Sequence, residues 1–237
     1  MATLITSITG DVTYDGIPDT LFLTGTQVPG SAAWQQLQLV VQDGRSCMTV
    51  TLPLPDEIAY SPTLTLASLT GAGKKDILVT LPTGGSGGIM NAVVYAYLED
   101  QFQQIFSSQD YQELYQYDVF YLDGYTVKAY SRQNQREYLI DISDRGSDYL
   151  TAIYNQDGTL KEPITGFVNP LSGLFPVDFS GNGQSSLLAY QKIAGQYNAD
   201  ALGYFLNTLT WQENAFVLTD QMVGILGADA SVIQPRM

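Results

Sequence analysis

The sequence contains no histidine, one cysteine and only ten basic residues in 237. Each scarcity removes a class of chemistry. Without histidine there is no Ser-His-Asp or Cys-His catalysis, no imidazole base and no histidine-ligated zinc. A lone cysteine, Cys47, forms no intramolecular disulfide and no cysteine metal cluster. It lies in the strand-like stretch 46–50, where the expectation is a small packed apolar residue. No apolar run is long enough to span a bilayer. The opening Met1-Ala2-Thr3-Leu4-Ile5-Thr6 lacks a basic region followed by a long apolar stretch, so no signal peptide is read. The expected compartment is therefore the cytoplasm, unless a leader has been removed.

Against the ten basic residues stand 24 acidic ones, for a net charge of −14. Such a field repels a phosphate backbone, so no nucleic-acid partner is expected, whereas divalent cations and basic partners are favoured. The same charge keeps a protein soluble with no partner at all. Hydrophobic residues make up 45% of the chain, enough for a sizeable core, and one domain spanning 1–237 is within the ordinary range for an all-β unit.

Strand signals dominate. With 16 tyrosines, 9 phenylalanines and 2 tryptophans, and turn residues at short intervals, the pattern predicts strands over 21–25, 36–42, 48–54, 64–69, 77–81, 92–97, 117–122, 125–130, 137–142 and 187–190. Asp-Gly pairs at 43–44, 123–124 and 157–158 read as hairpin turns. The Gln-rich stretch 100–116 has weak helical spacing. Leu150, Ile153 and Tyr154 share a helical face, with Ser147 as the expected cap. The class is all-β with at most short helices. The glycine run 84–88 lacks a Gly-Lys-Ser/Thr ending and no helix pattern follows, so it reads as a bulge or close backbone approach and not as a phosphate loop.

Residues 11–19 are a candidate calcium loop. Counted from Asp11, side-chain oxygens fall at positions 1, 3, 5 and 9 (Asp11, Thr13, Asp15, Asp19), with Gly16 at position 6 and the Ile17 carbonyl at 7. Calcium takes six to eight oxygens, and a glycine permits the sharp bend such a loop needs. The plainer reading is an Asp-Gly turn, but no other Asp-Gly pair here carries that oxygen spacing. The pattern recurs. Position 1 corresponds to Asp11, Ser68 and Asp178, separated by 57 and then 110 residues, and 110 is twice 55. Four units of about 55 residues, near 11–67, 68–122, 123–177 and 178–237, fill the chain and suggest propeller blades. In the second loop Ser68, Thr70 and Ala72 stand where carboxylates are expected, leaving Asp76, with the ammonium of Lys74 or Lys75 as a substitute cation. The third offers Asp178, Ser180, Asn182, Gln184 and Ser186 as a weaker metal set. The expected order of calcium affinity is first loop, then third, with the second empty.

The loop-then-strand pattern resembles the FG-GAP/VCBS repeats of integrin α-like propellers, whose loops read Asp-x-Asp-x-Asp-Gly-x-x-Asp. The match lies at Asp11, Asp15, Gly16 and Asp19, with Thr13 replacing one aspartate. Nearly the whole chain is similar to bacterial VCBS-repeat proteins, largely from Firmicutes, through LTGT (23–26), GGSGG (84–88), GFVNPLSGLFPVDF (166–179) and LLAYQKIAG (187–195). The resemblance implies a β-propeller with calcium between strands, an adhesion or scaffolding role, and a cell-surface or secreted location.

The function expected from these features is a non-catalytic, calcium-binding module for a protein or carbohydrate ligand, with tyrosines offering an apolar face and a polar tip. The alternative is a carbohydrate-active hydrolase or lyase, which needs paired carboxylates or a Tyr/Lys/Arg constellation. Asp141, Asp144 and Asp148 crowd together, a pattern that more often marks a solvated loop. An envelope-associated assembly role is a third possibility.

Overall fold

Two apolar runs without alternation, Ile77-Leu78-Val79-Thr80-Leu81 and Ala92-Val93-Val94-Tyr95-Ala96, form strands buried on both faces. They are the centre of the middle sheet. The computed structural model describes residues 2–85 and 87–227. Its first sheet holds β1 (Thr3–Gly10), β2 (Asp19–Gln27), β3 (Ala33–Gln42) and β4 (Thr49–Leu52) in that order, with β5 (Ala59–Tyr60) also on β3. The second is β6 (Thr63–Ala67), β7 (Asp76–Pro82), β8 (Met90–Leu98) and β9 (Gln101–Ser107). Helix α1 (Ser108–Leu114) leads to β10 (Tyr117–Leu122), β11 (Thr126–Ser131) and β12 (Arg136–Asp141). Helix α2 (Ser147–Ile153) precedes β13 (Thr165–Val177), β14 (Ser186–Ala194), β15 (Ala201–Gln212) and β16 (Ala215–Gly224). These last seven strands form one sheet, ordered β12-β11-β10-β13-β14-β15-β16.

Period-two alternation distributes the core. In β2, Leu21 and Leu23 turn inward with Leu39 and Val41 of β3, and meet Ile77, Val79 and Leu81 from one face of β7. The other face of the middle sheet, through Leu78, Ala92 and Val94, packs on Leu171, Leu187, Ala189 and Leu209 of the third. The third sheet curls upon itself around Phe205, Ile193, Val127 and Ile140. Its edge strands approach closely enough for the Tyr138 hydroxyl on β12 to donate to the Gln221 carbonyl on β16 at 3.1 Å, a nearly closed barrel.

The all-β expectation holds in this form, with two short helices. The four-blade division does not. Each boundary was set at a loop, yet each loop joins two hydrogen-bonded neighbours: 11–18 joins β1 to β2, 68–75 joins β6 to β7, and 178–185 joins β13 to β14. Cutting at 68, 123 and 178 therefore cuts hairpins. The residues of 123–177 make no sheet of their own either, because β10 pairs with β13 through Val119↔Gly166 and Phe120↔Thr165. The result is sheets of five, four and seven strands. Three smaller expectations also change. Cys47 is exposed in the β3–β4 loop at φ 59°, not packed in a strand. Gly146, not Ser147, is the N-cap of α2. The run 101–107 is strand before α1 begins, since pairing with β8 overrides its polar composition.

The first two loops share one arrangement, and the third departs from it. In the first, the buried Asp19 carboxylate accepts the amides of Val12 (2.8 Å) and Thr13 (3.0 Å) through Oδ2 and that of Gly44 (2.9 Å) through Oδ1. Gly44 must be glycine, because a Cβ there would collide with the Pro18 carbonyl. In the second, Asp76 accepts the amides of Leu69 (2.8 Å) and Thr70 (2.7 Å), and the Tyr14 hydroxyl reaches it from the first loop at 2.9 Å. Ser186 occupies this place in the third and bonds Thr210 instead. The loops abut, for Ser185 donates its amide to the Ser68 carbonyl at 2.7 Å. Removing a buried charged acceptor strands several donors, so Asp76→Ala should cost about 2–3 kcal/mol. Thermal denaturation should show Asp19→Ala and Asp76→Ala each lowering Tm by roughly 4–12 °C, with Asp178→Ala, an exposed acceptor, well below that. Equal losses in all three would refute the assigned hierarchy.

Candidate functional site

The oxygens expected to surround calcium have other partners. Asp11 accepts the amides of Asp15 (3.1 Å) and Gly16 (2.9 Å), and the Thr13 hydroxyl donates to Asp19 at 3.2 Å. Asp15 accepts the Ile17 amide at 2.8 Å and pairs with Arg45 Nε at 2.5 Å. That guanidinium, with the Ile17 amide, holds the Asp15 carboxyl below the usual carboxylate range. In the third loop Asp178 accepts the amides of Ser180, Asn182 and Gly183, Asn182 accepts that of Gln184, and Gln184 reaches the Leu69 carbonyl. The Gly183 amide contributes most to lowering the Asp178 pKa. Lys74 stands over the Tyr14 ring, 5.3 Å from its centroid. Among the described residues no three His, Cys, Asp or Glu side chains gather closely enough to hold a metal ion. A calcium shell needs six to eight oxygens turned on one point. Here they accept backbone amides and the Arg45 guanidinium, contacts that leave further lone pairs on each carboxylate.

A different arrangement stands out beside α1. A cleft of about 450 Å³ lies between the β8–β9 hairpin, α1 and the end of the β15–β16 hairpin. Five aromatic rings follow one another along it. Trp211 meets Phe216 edge-on at 5.3 Å, Phe216 meets Phe106 at 6.0 Å, Phe106 meets Tyr111 at 5.8 Å, and Tyr111 meets Tyr115 at 4.7 Å. Gln103, Gln104, Asp110 and Asn214 supply its polar groups. Helix geometry puts Tyr111 and Tyr115, four residues apart, on one face. The Ser107 hydroxyl caps α1 by accepting the Asp110 amide at 3.1 Å. Burial pushes both phenols above their ordinary pKa, which keeps them neutral hydrogen-bond donors. None of these residues was singled out from the sequence. The i, i+4 spacing of Tyr111 and Tyr115 was available as a signal, but Trp211 and Phe216 reach the cleft only through the third sheet.

Residues 115–224 match the family described as the YybI C-terminal domain, a span that takes in every strand from β10 to β16. The protein described as uncharacterized protein YybI of Bacillus subtilis (strain 168) is 46% identical over 228 residues, covering 96% of this chain and 87% of that protein. The chain belongs to the YybI family. This corrects the resemblance to FG-GAP/VCBS repeats and integrin α-like propellers, which rested on the loop pattern and on the segments at 23–26, 84–88, 166–179 and 187–195. No solved structure matches the chain.

Within the segment shared with the YybI C-terminal domain, a second polar cluster forms around Asp200. Its side chain is 1% exposed and accepts the hydroxyls of Tyr149 (2.8 Å) and Tyr121 (3.2 Å), with Arg145 Nη1 at 3.3 Å. Burial, with the bond to Asp200, pushes Tyr149 up to about 12, against the lowering effect of its bond to Tyr121. Tyr121 rises too, by burial first and then by its bond to Tyr149. By contrast Asp141, Asp144 and Asp148, the acids considered for catalysis, are all exposed. Asp141 and Asp144 border a cavity of about 310 Å³ together with Arg145.

Two outcomes follow from this chemistry. Melts in excess calcium and in chelator test the metal reading of 11–19: a rise with calcium that Asp15→Ala abolishes supports it, and superposed melts make the loop a turn held by its own amides. The phenols at 121 and 149 have raised folded pKa values, so their stabilisation is complete below the ordinary value near 10 and lost as pH rises through about 12. Tyrosinate absorbance and circular dichroism should therefore change together in that window. Ionisation of all tyrosines near pH 10 with the fold intact would contradict it.

Proposed function

We propose that this member of the YybI family is a non-catalytic binding module whose α1 cleft takes a neutral carbohydrate. The observation that carries the reading is the run of five rings from Trp211 to Tyr115 flanked by amide and carboxylate side chains. Sugar rings present apolar C–H faces and a rim of hydroxyls, and aromatic faces with nearby amides and acids complement both. A volume of about 450 Å³ is within the range of small-molecule sites. The net charge of −14 disfavours anionic polysaccharides, which points to neutral ones. Among the described residues the carboxylates with displaced acidities, Asp15, Asp43, Asp118, Asp157 and Asp178, all shift downward. A glycosidase acid shifts upward.

Tryptophan fluorescence tests the proposal directly, because the chain has two tryptophans and Trp34→Phe leaves Trp211 as reporter. Titration with neutral gluco- and chito-oligosaccharides should perturb that signal, and Trp211→Ala should weaken binding about tenfold, the equivalent of about 1.4 kcal/mol. No response to any neutral oligosaccharide, or an unchanged affinity in Trp211→Ala measured by calorimetry, would sink it. Release of reducing sugar would move the assignment to catalysis, with Glu99 and Asp110 in the cleft as the first groups to substitute.

A further inference from the structure

A bulge in β13 opens a small polar cavity beside the end of α1. Val168 pairs with Ile193 and Leu171 with Gln191, which leaves Asn169 and Pro170 without partners on β14. Such an insertion bends its strand and re-aims the side chains. On its other edge β13 meets β10 only at Thr165 and Gly166, so that edge is unpaired past Gly166, where α1 runs into β10. A cavity of about 180 Å³ lies there. Four amide side chains, Gln112, Gln116, Asn169 and Gln191, and the phenols of Tyr115 and Tyr117 supply its polar groups. None of the lining residues is charged, and burial raises both phenol pKa values, so the phenols stay neutral as well.

Gln191 is the residue this lining leaves incomplete. It lies across from Phe205, whose ring stacks on Tyr117 at 4.1 Å, and is only 3% exposed. Its Nε2 donates to the Asn169 carbonyl at 3.3 Å, whereas its Oε1 accepts no hydrogen bond from any described residue. A carbonyl oxygen shut off from water and left unpaired is costly. The terminal torsion of a glutamine is broad, so this oxygen can turn toward a donor held in the cavity.

We infer that the cavity binds a small neutral primary carboxamide. The unmet atom is an acceptor, so the ligand brings an N–H donor. A cation would lose its hydration against a lining with no opposite charge, so that donor is uncharged. The ligand's own carbonyl then needs a donor, and the Gln112 side-chain amide, which the fold leaves unengaged, supplies one. Val168 and Pro170 give a short apolar body a surface to cover. A single water needs only about 10–15 Å³, so the cavity has room for more than one solvent molecule. The inference does not depend on the carbohydrate cleft: Tyr115 alone borders both, and Trp211 does not line this cavity.

NMR titration of the full chain with propionamide, N,N-dimethylpropionamide and propionate separates the elements of the inference. Propionamide should shift the Gln191 side-chain amide signals to saturation. It should bind at least about tenfold more tightly than either relative, about 1.4 kcal/mol. Gln191→Leu, which removes the acceptor, should erase that preference, and Trp211→Ala should leave it unchanged. Gln116→Trp, at an exposed position on the rim, should exclude propionamide by filling the cavity. A response that never saturates would mean that the oxygen takes ordered water only. Equal binding of the dimethyl amide would mean that no N–H is read, and equal binding of propionate would mean an anion site. A loss in Trp211→Ala would place the amide in the aromatic cleft. Each of these overturns the inference, and if Gln191→Leu does not fold, unchanged affinity in Gln116→Trp overturns it equally.

Discussion

Two carboxylates withdrawn from water, Asp19 and Asp76, set the geometry on which the first two sheets depend. An ionised group that is fully buried persists only when hydrogen bonds replace its hydration. Each closes the loop before its strand by accepting the two amides that follow the preceding strand. Asp76 also takes the Tyr14 hydroxyl, so the placement of one loop constrains the next. The third loop lacks a carboxylate at this position and is tied by its neighbour instead, through Gln184 to the Leu69 carbonyl and the Ser185 amide to Ser68. A row of three loops results, held by backbone amides and a phenol.

The inner face of the third sheet carries two cores with a polar belt between them. Leu187, Ala189 and Leu209 pack on the middle sheet, whereas Ile193 and Phe205 fill the curled barrel. Gln191 and Asn207 lie between, both buried. Asn207 donates to Tyr111 (2.5 Å) and Tyr117 (2.7 Å) and accepts from Gln221 (2.8 Å), which accepts from Asn134 (2.7 Å). The belt connects α1, both hydrophobic clusters and the two edge strands of the barrel. A network of that kind fixes one register, because a shift by one residue would leave each of these groups buried without a partner.

The aromatic cleft lies where one sheet's connections meet another's surface, between α1, the β8–β9 hairpin and the β15–β16 hairpin. Phe106, Tyr111 and Tyr115 are buried in its wall, so Trp211 and Phe216 are the rings that a ligand meets. A strongly acidic chain suits a neutral ligand there.

Local pattern was enough for much of the secondary structure. Alternation in 21–25 and 36–42, the unbroken apolar runs of β7 and β8, and the Asp-Gly turn at 123–124 all reflect interactions within a few residues, and they determined strands and hairpins without reference to the rest of the chain. The repeat of loops at Asp11, Ser68 and Asp178 was legible for the same reason. Partnership between elements was not. Whether β10 starts a new sheet or joins β13, and whether Asp15 faces a metal or Arg45 thirty residues away, depends on contacts that no periodicity encodes. Residues 11–19 carry oxygens at calcium spacing, but spacing does not say which protein partners each oxygen takes; in the folded loop these include its own amides and the guanidinium of the β3–β4 loop. The aromatic cleft was hidden in the same way. Trp211 and Phe106 share it only when separate sheets pack, and tertiary burial alone brought them together.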